Sequence, residues 1–139
     1  MNTEVVITTN KDAFKEAAAE SIQAALEAIG LDAVGNAQEI ITAEGRVDTG
    51  ALRNSIAYNV ETEEKAVYIG SNLEYAIYNE VGTGIYAEGG GGRKTGWVYE
   101  DSHGETHFTH GMKPIHFLKR ATSENSDRYK QIVESILKS

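Results

Sequence analysis

From Phe14 onward, apolar side chains return every three or four residues: Phe14, Ala18, Ile22, Ala25 and Ile29, then Ala33, Ala37, Ile40 and Ile41. That is the period of one helix face. It constrains the chain more than any other feature, because a helix this long sets the length of every layer packed on it. Gly30 and Gly35 weaken the propensity without breaking the period. The spacing predicts one long helix with a bend, or two in series, from about Lys11 to Glu44-Gly45. Thr9 or Asn10 stands where a capping side chain belongs, with Asp12 in the first turn. Asp12, Glu16, Glu20 and Glu27 fall on another stripe of the same helix. Ahead of it, the β-branched run EVVITT (4–9) reads as a strand.

After the long helix, RVDTGALRNSI offers Asp48 as an N-cap and Thr49-Gly50-Ala51-Leu52 as a helical turn. Gly50 is expected to permit tight packing where the helix enters a sheet, and Asp48→Ala to cost about 1 kcal/mol of stability. SIAYNVETEE alternates, with Ile56, Tyr58 and Val60 on one face; AVYIGS follows a Glu63-Glu64-Lys65 turn, so the two form a hairpin. LEYAIYNEVGTG predicts a short helix capped by Asn72 and stopped by Gly82 or Gly84. Leu73, Ala76, Ile77 and Val81 would face inward, with Tyr75 and Tyr78 flanking them.

Nine of the fourteen glycines then fall within residues 82–111. AEGGGGRKTG leads into Trp97-Val98-Tyr99 and, after a polar turn near Ser102 to Gly104, Thr106-His107-Phe108, which reads as a β-hairpin. Pro114 is expected in the first turn of the last helix. Leu118, Ala121, Tyr129, Ile132, Val133 and Ile136 form that helix's apolar side, with a break at TSENSD. The fold class is therefore α+β: a long N-terminal helix, a small antiparallel β-sheet with hairpins, a short central helix and a C-terminal helix. We expect a single domain over 1–139, with a flexible Gly-rich loop and β-hairpin insertion at about 83–111.

The chemistry in the sequence argues against an enzyme. A phosphate loop needs Gly before its Lys; here Arg93 precedes Lys94, and the tract leads into a strand. There is no cysteine, and no serine sits in a G-x-S-x-G turn. His103, His107, His110 and His116 lie close together, but a strand sends His107 and His110 to opposite faces, and no zinc signature matches. We expect no catalytic residues, metal or cofactor. The net charge of −8 is uneven: residues 1–64 hold twelve acids and four bases, residues 65–139 nine of each. An acidic half repels DNA and anionic membranes. Arg93 and Lys94 beside Trp97 and Tyr99 could still touch a phosphate backbone, so a DNA-contacting accessory or packaging-related factor is the alternative from another class. No apolar run is long enough for a membrane span, and the N-terminus lacks the pattern of a signal peptide.

Three motifs in order carry a family resemblance. VDTGALRNSI (47–56), VYIGSNLEYAIYNEVGTG (67–84) and GMKPIHFLKRA (111–121) resemble the recognisable blocks of the tail-component, or tail-completion, proteins of long-tailed phages and prophages. The resemblance implies a structural virion protein, made in the host bacterial cytoplasm and placed at the neck, where the tail meets the head. It implies a homo-oligomeric ring around the DNA channel, a hexamer. Its other partners would be the connector, tail terminator and tail tube, with genomic DNA passing without sequence-specific binding. A tail terminator or head-side connector is the nearest variant of this reading. Trp97, Tyr99 and Phe108, with Arg93 and Lys94, are the expected interface residues. Asp12, Glu16, Glu20 and Glu27 are the expected channel wall, and Asp48, Thr49, Gly50 and Leu52 the structural motif. The glycine tract is expected to be mobile in an isolated subunit.

Overall fold

The computed structural model describes residues 3–45, 50–73, 75–100 and 104–138, with Tyr99 described in its backbone alone. The elements run β1 (Thr3–Thr8), α1 (Lys11–Phe14), α2 (Ala19–Ala43), α3 (Ala51–Ser55), β2 (Ala57–Glu61), β3 (Ala66–Ser71), α4 (Ala76–Val81), β4 (Trp97–Glu100), β5 (Thr106–Thr109), α5 (Phe117–Ser123) and α6 (Ser126–Lys138). The architecture is the expected α+β arrangement.

β3 is the centre of a three-stranded antiparallel sheet in the order β1-β3-β2. Its burial explains the choice: Ala66, Val67, Ile69 and Ser71 are all buried, whereas β2 is mostly exposed. Val5 and Ile7 stand opposite Ile69 and Val67, so period-two alternation puts one apolar face on α2. The β2–β3 turn closes with Lys65 donating to the Thr62 carbonyl at 3.1 Å, as the hairpin pattern predicted.

α2 packs on the sheet and on both C-terminal helices. Ile22, Ala25, Leu26, Ile29, Ala33, Ala37 and Ile41 are buried along it. Of the two expected arrangements the structure has helices in series, α1 and α2, and α2 runs through both Gly30 and Gly35. Gly30 lies against Tyr58, and a Cβ there would stand 2.5 Å from the ring. The glycine serves close helix-to-sheet approach. The break comes earlier, across residues 15–18. Phe14 is buried and Ala18 is exposed, contrary to the shared inward face expected for them, because Ala18 is extended (φ −66°, ψ 146°) and starts a new helix. Neither Thr9 nor Asn10 caps α1: the Thr9 hydroxyl donates to Asn10 Oδ1 at 2.6 Å, and Asn10 is left-handed at φ 53°. The four acids consequently do not share one helix. Asp12 is on α1, Glu16 in the connection, and Glu20 and Glu27 on α2, all four exposed.

α3 begins one residue after Gly50, which holds the cap position at φ 75°. That conformation requires glycine; among the described residues the nearest atom a Cβ would meet is Asn54 Nδ2 at 3.7 Å. Leu52 is buried; Asp48 and Thr49 lie outside the described residues.

The last helix divides at Glu124 and Asn125, where the polar run predicted a break. Phe117, Leu118, Ala121, Tyr129 and Val133 fill the core. Arg128 holds Asp32 of α2 with two contacts of 2.8 Å each, a bidentate pair that fixes α6 against α2. Pro114 is not in the first turn of α5, which starts at Phe117. The residues between are tied to α4: Ile115 N–H donates to the Asn79 carbonyl at 2.9 Å and His116 N–H to that of Glu80 at 3.3 Å.

Candidate functional site

α4 is the element that organises the remaining features. Ala76 is buried as expected, but its other buried residues are Asn79 and Glu80; Ile77 and Val81 are only partly covered. The Glu80 carboxylate reaches the start of α5, accepting from Leu118 N–H at 2.8 Å and Lys119 N–H at 3.0 Å. A helix start leaves such donors without intrahelical partners, and its dipole favours an anion. Glu80 is therefore a cap supplied from another helix. His116, at the α5 cap position with φ 50°, makes no cap bond of its own. Its Nε2 lies 2.5 Å from Glu88 Oε1, and its Nδ1 3.7 Å from Glu80 Oε2. Residue-by-residue patterning missed Glu80 because an acid on a Leu-Ala-Ile-Val helix reads as solvated. The available signal was the poor capping residue before Phe117, which demands an acceptor from elsewhere.

Immediately after Glu80 the chain crosses the segment that leads into α5. Thr83 N–H donates to the Met112 carbonyl at 2.9 Å, Met112 N–H to Thr83 Oγ1 at 2.8 Å, and Ile85 N–H to the His110 carbonyl at 3.0 Å. The backbones approach so closely that a Cβ on Gly84 would collide with the His110 carbonyl, and one on Gly111 with that of Thr83. The second and third sequence motifs are thus two halves of one clasp.

An arm emerges from this clasp. Two 3₁₀ turns, Gly84–Tyr86 and Glu88–Gly90, lead through the glycine tract to the hairpin. The tract is not uniformly open: Gly92 sits against the Gly84 carbonyl and Ala87, while Gly89, Gly90 and Gly91 have space around them. β4 and β5 pair as predicted, with Trp97 opposite Thr109, Val98 opposite Phe108 and Tyr99 opposite His107. This register decides which of the expected interface side chains share a face. Trp97 and Phe108 occupy opposite faces of the ribbon, because side chains alternate along each strand and Phe108 is paired with Val98, the neighbour of Trp97. Phe108 joins Val98, and these two are 65% and 63% exposed. The Arg93 guanidinium lies 5.4 Å from the Trp97 ring centre and its Nε donates to Thr95 Oγ1 at 3.2 Å; Lys94 is exposed. The Tyr99 side chain, Ser102 and His103 lie outside the described residues. His107 is on the hairpin, and His110 meets Phe108 edge-on at 5.2 Å. Among the described residues no three His, Asp or Glu side chains group as metal ligands.

Between α4 and the arm runs a groove of about 620 Å³, walled by Tyr75, Ile77, Tyr78 and Val81 on one side and Gly92 and Trp97 on the other. Among the described residues no helix is long and apolar enough to cross a membrane.

Searches of curated proteins and of solved structures return no match. Residues 6–82 match the model of one family, described as bacteriophage HK97-gp10, putative tail-component. The match runs from within β1 to the end of α4, more than half the chain, and stops where the arm begins. The chain belongs to this HK97-gp10-like family of phage tail components.

Proposed function

We propose that this chain completes the phage tail at the neck, as one subunit of a homo-oligomeric ring, six-fold, through which genomic DNA passes. The observation that supports this most directly is the division of the molecule into a packed body and an arm whose large apolar side chains face outward. Ile85, Tyr86, Val98 and Phe108 are all exposed on the arm, and Tyr75 and Tyr78 beside it. A catalytic site needs convergent polar groups in a closed pocket; a ring subunit needs surfaces for its neighbours. The connector, tail terminator and tail tube are the other partners in this reading. On assembly Trp97 is covered by a neighbour, which its fluorescence reports.

The same reading gives the exposed Asp12, Glu16, Glu20 and Glu27 the role of a channel wall, on which like charge keeps DNA sliding. Reversing all four charges should slow DNA passage; unchanged infectivity would remove that assignment. Arg93 serves the hairpin through Trp97 and Thr95, which favours the structural reading over a DNA-contacting one. A salt-dependent shift of duplex DNA would favour the opposite view.

Inactivation of the gene in its phage decides the position. A tail-completion protein leaves filled heads and normal-length tails unjoined. Overlong tails would instead assign a terminator, and heads that lose their DNA a head-side connector. Normal joined particles would exclude the neck altogether.

A further inference from the structure

We propose that the groove beside Trp97 receives the β4–β5 hairpin of a second copy of this chain, in a head-to-tail contact; this rests on the self-assembling reading above. The receiving surface is apolar and of the size that takes a few side chains: about 620 Å³, with Tyr75, Ile77, Tyr78, Val81, Trp97 and Met112 among its lining. The projecting surface is the other face of the hairpin. Val98 and Phe108 oppose one another across the strands and are 63% and 65% exposed. Phe108 is held in place, since its ring lies over Gly96, at a spot a Cβ would fill, and packs edge-on against His110. One ribbon therefore walls a groove with Trp97 and presents an apolar pair on its back.

These are two different patches, and that decides the symmetry. A two-fold contact requires a patch complementary to itself, whereas a projecting surface and a separate receiving surface give a contact that repeats in one direction, the kind from which a ring is built when its rotation closes. The charges agree. Arg93 stands at the groove and Lys94 follows it, while the hairpin carries Glu100 at the end of β4 and Glu105 just before β5. A neighbour's hairpin entering the groove brings acids to bases. Two hairpins meeting back to back would bring acids to acids.

The chain has no cysteine, so introduced cysteines report proximity without background. Full-length Phe108→Cys and Tyr78→Cys, mixed and oxidised at high protein concentration, should form a mixed disulfide. Neither alone should form a homodimer, and the double variant should give a ladder of multimers. Phe108→Ala should weaken self-association about thirtyfold, the effect of removing an interface anchor. Arg93→Glu should weaken it too, with association regained when Arg93→Glu is mixed with Glu100→Arg. A Phe108→Cys homodimer would establish a two-fold contact and overturn the proposal. So would absence of the mixed disulfide between folded variants, or another tail protein occupying the groove while Phe108→Ala self-associates normally. If gene inactivation separates heads from tails but the mixed disulfide never forms, this contact fails and the neck reading stands.

Discussion

The body and the arm are held together by different forces. In the body, Ile29, Ile41, Phe117, Leu118 and Val133 are fully buried, and the layers meet through apolar area. In the arm, residues 83–111, Ile85, Tyr86, Val98 and Phe108 face solvent while Trp97 is half-buried at the groove, and the backbone itself makes the attachments through glycines that let two strands of chain touch. The first kind of region is held by its buried core; the second is fixed at its root and leaves Val98 and Phe108 available. Glu80 joins them, since the residue that caps α5 stands just before the chain enters the clasp.

The largest expected effect tests the body. Phe117→Ala should destabilise the protein by about 3–5 kcal/mol, the usual cost of deleting a buried aromatic ring. Denaturant unfolding checks it, and a loss under about 1 kcal/mol would mean the C-terminal helices contribute little to the body.

Next comes the junction. Glu80→Ala removes the acceptor for the Leu118 and Lys119 amides and should cost about 2–3 kcal/mol, because the buried Leu118 donor and the part-buried Lys119 donor both lose a charged partner. Hydrogen exchange should quicken at those two amides first. Protection there equal to the parent protein would show that another group caps α5.

These two regions also differ in how far the sequence discloses them. Burial of α2 repeats with the helix period and β2–β3 alternates with the strand period, so the body's elements and the break in the last helix were readable. The interruption at residues 15–18 was not, since Phe14 and Ile22 stay eight residues apart whether or not a helix joins them. Glu80 was hidden because its partners are backbone amides 38 and 39 positions away, which leave no mark on the local pattern. The hairpin was visible from its composition. Which aromatic shares a face with which depended on register, and this turned Phe108 away from Trp97.

The arm gives the third prediction. Gly111→Ala places a methyl group against the Thr83 carbonyl at a residue with φ 135°. The least costly response is to open the clasp locally, so global stability should fall by only about 1–2 kcal/mol, the worth of the hydrogen bonds that cross there. Protease sensitivity should rise within residues 84–111 and nowhere else. Cooperative loss of the whole fold would erase the distinction between body and arm.

The smallest effect concerns the body's own polar exception. Tyr129 is buried, donates its phenol proton to the Ala121 carbonyl at 2.5 Å and accepts from Asn36 Nδ2 at 3.1 Å. Tyr129→Phe should cost about 1 kcal/mol at neutral pH, the net worth of a typical hydrogen bond, since the Ala121 carbonyl keeps Asn125 Nδ2 as a donor at 3.2 Å. Burial raises the phenol's pKa above its ordinary 10.0 by penalising the phenolate. The folded protein therefore holds this proton more tightly than the unfolded chain does. The stability tied to that preference is present in full below about pH 10 and declines as pH rises from there through the folded-state value. Tyr68 also titrates high, through its hydrogen bond to Glu64, so Tyr68→Phe is the necessary control. Denaturant midpoints should fall less steeply above pH 10 in Tyr129→Phe than in Tyr68→Phe, because only the first removes a phenol that ionisation must drag out of the core. Equal slopes would mean that α6 leaves α2 before Tyr129 ionises, and that the body too comes apart in stages.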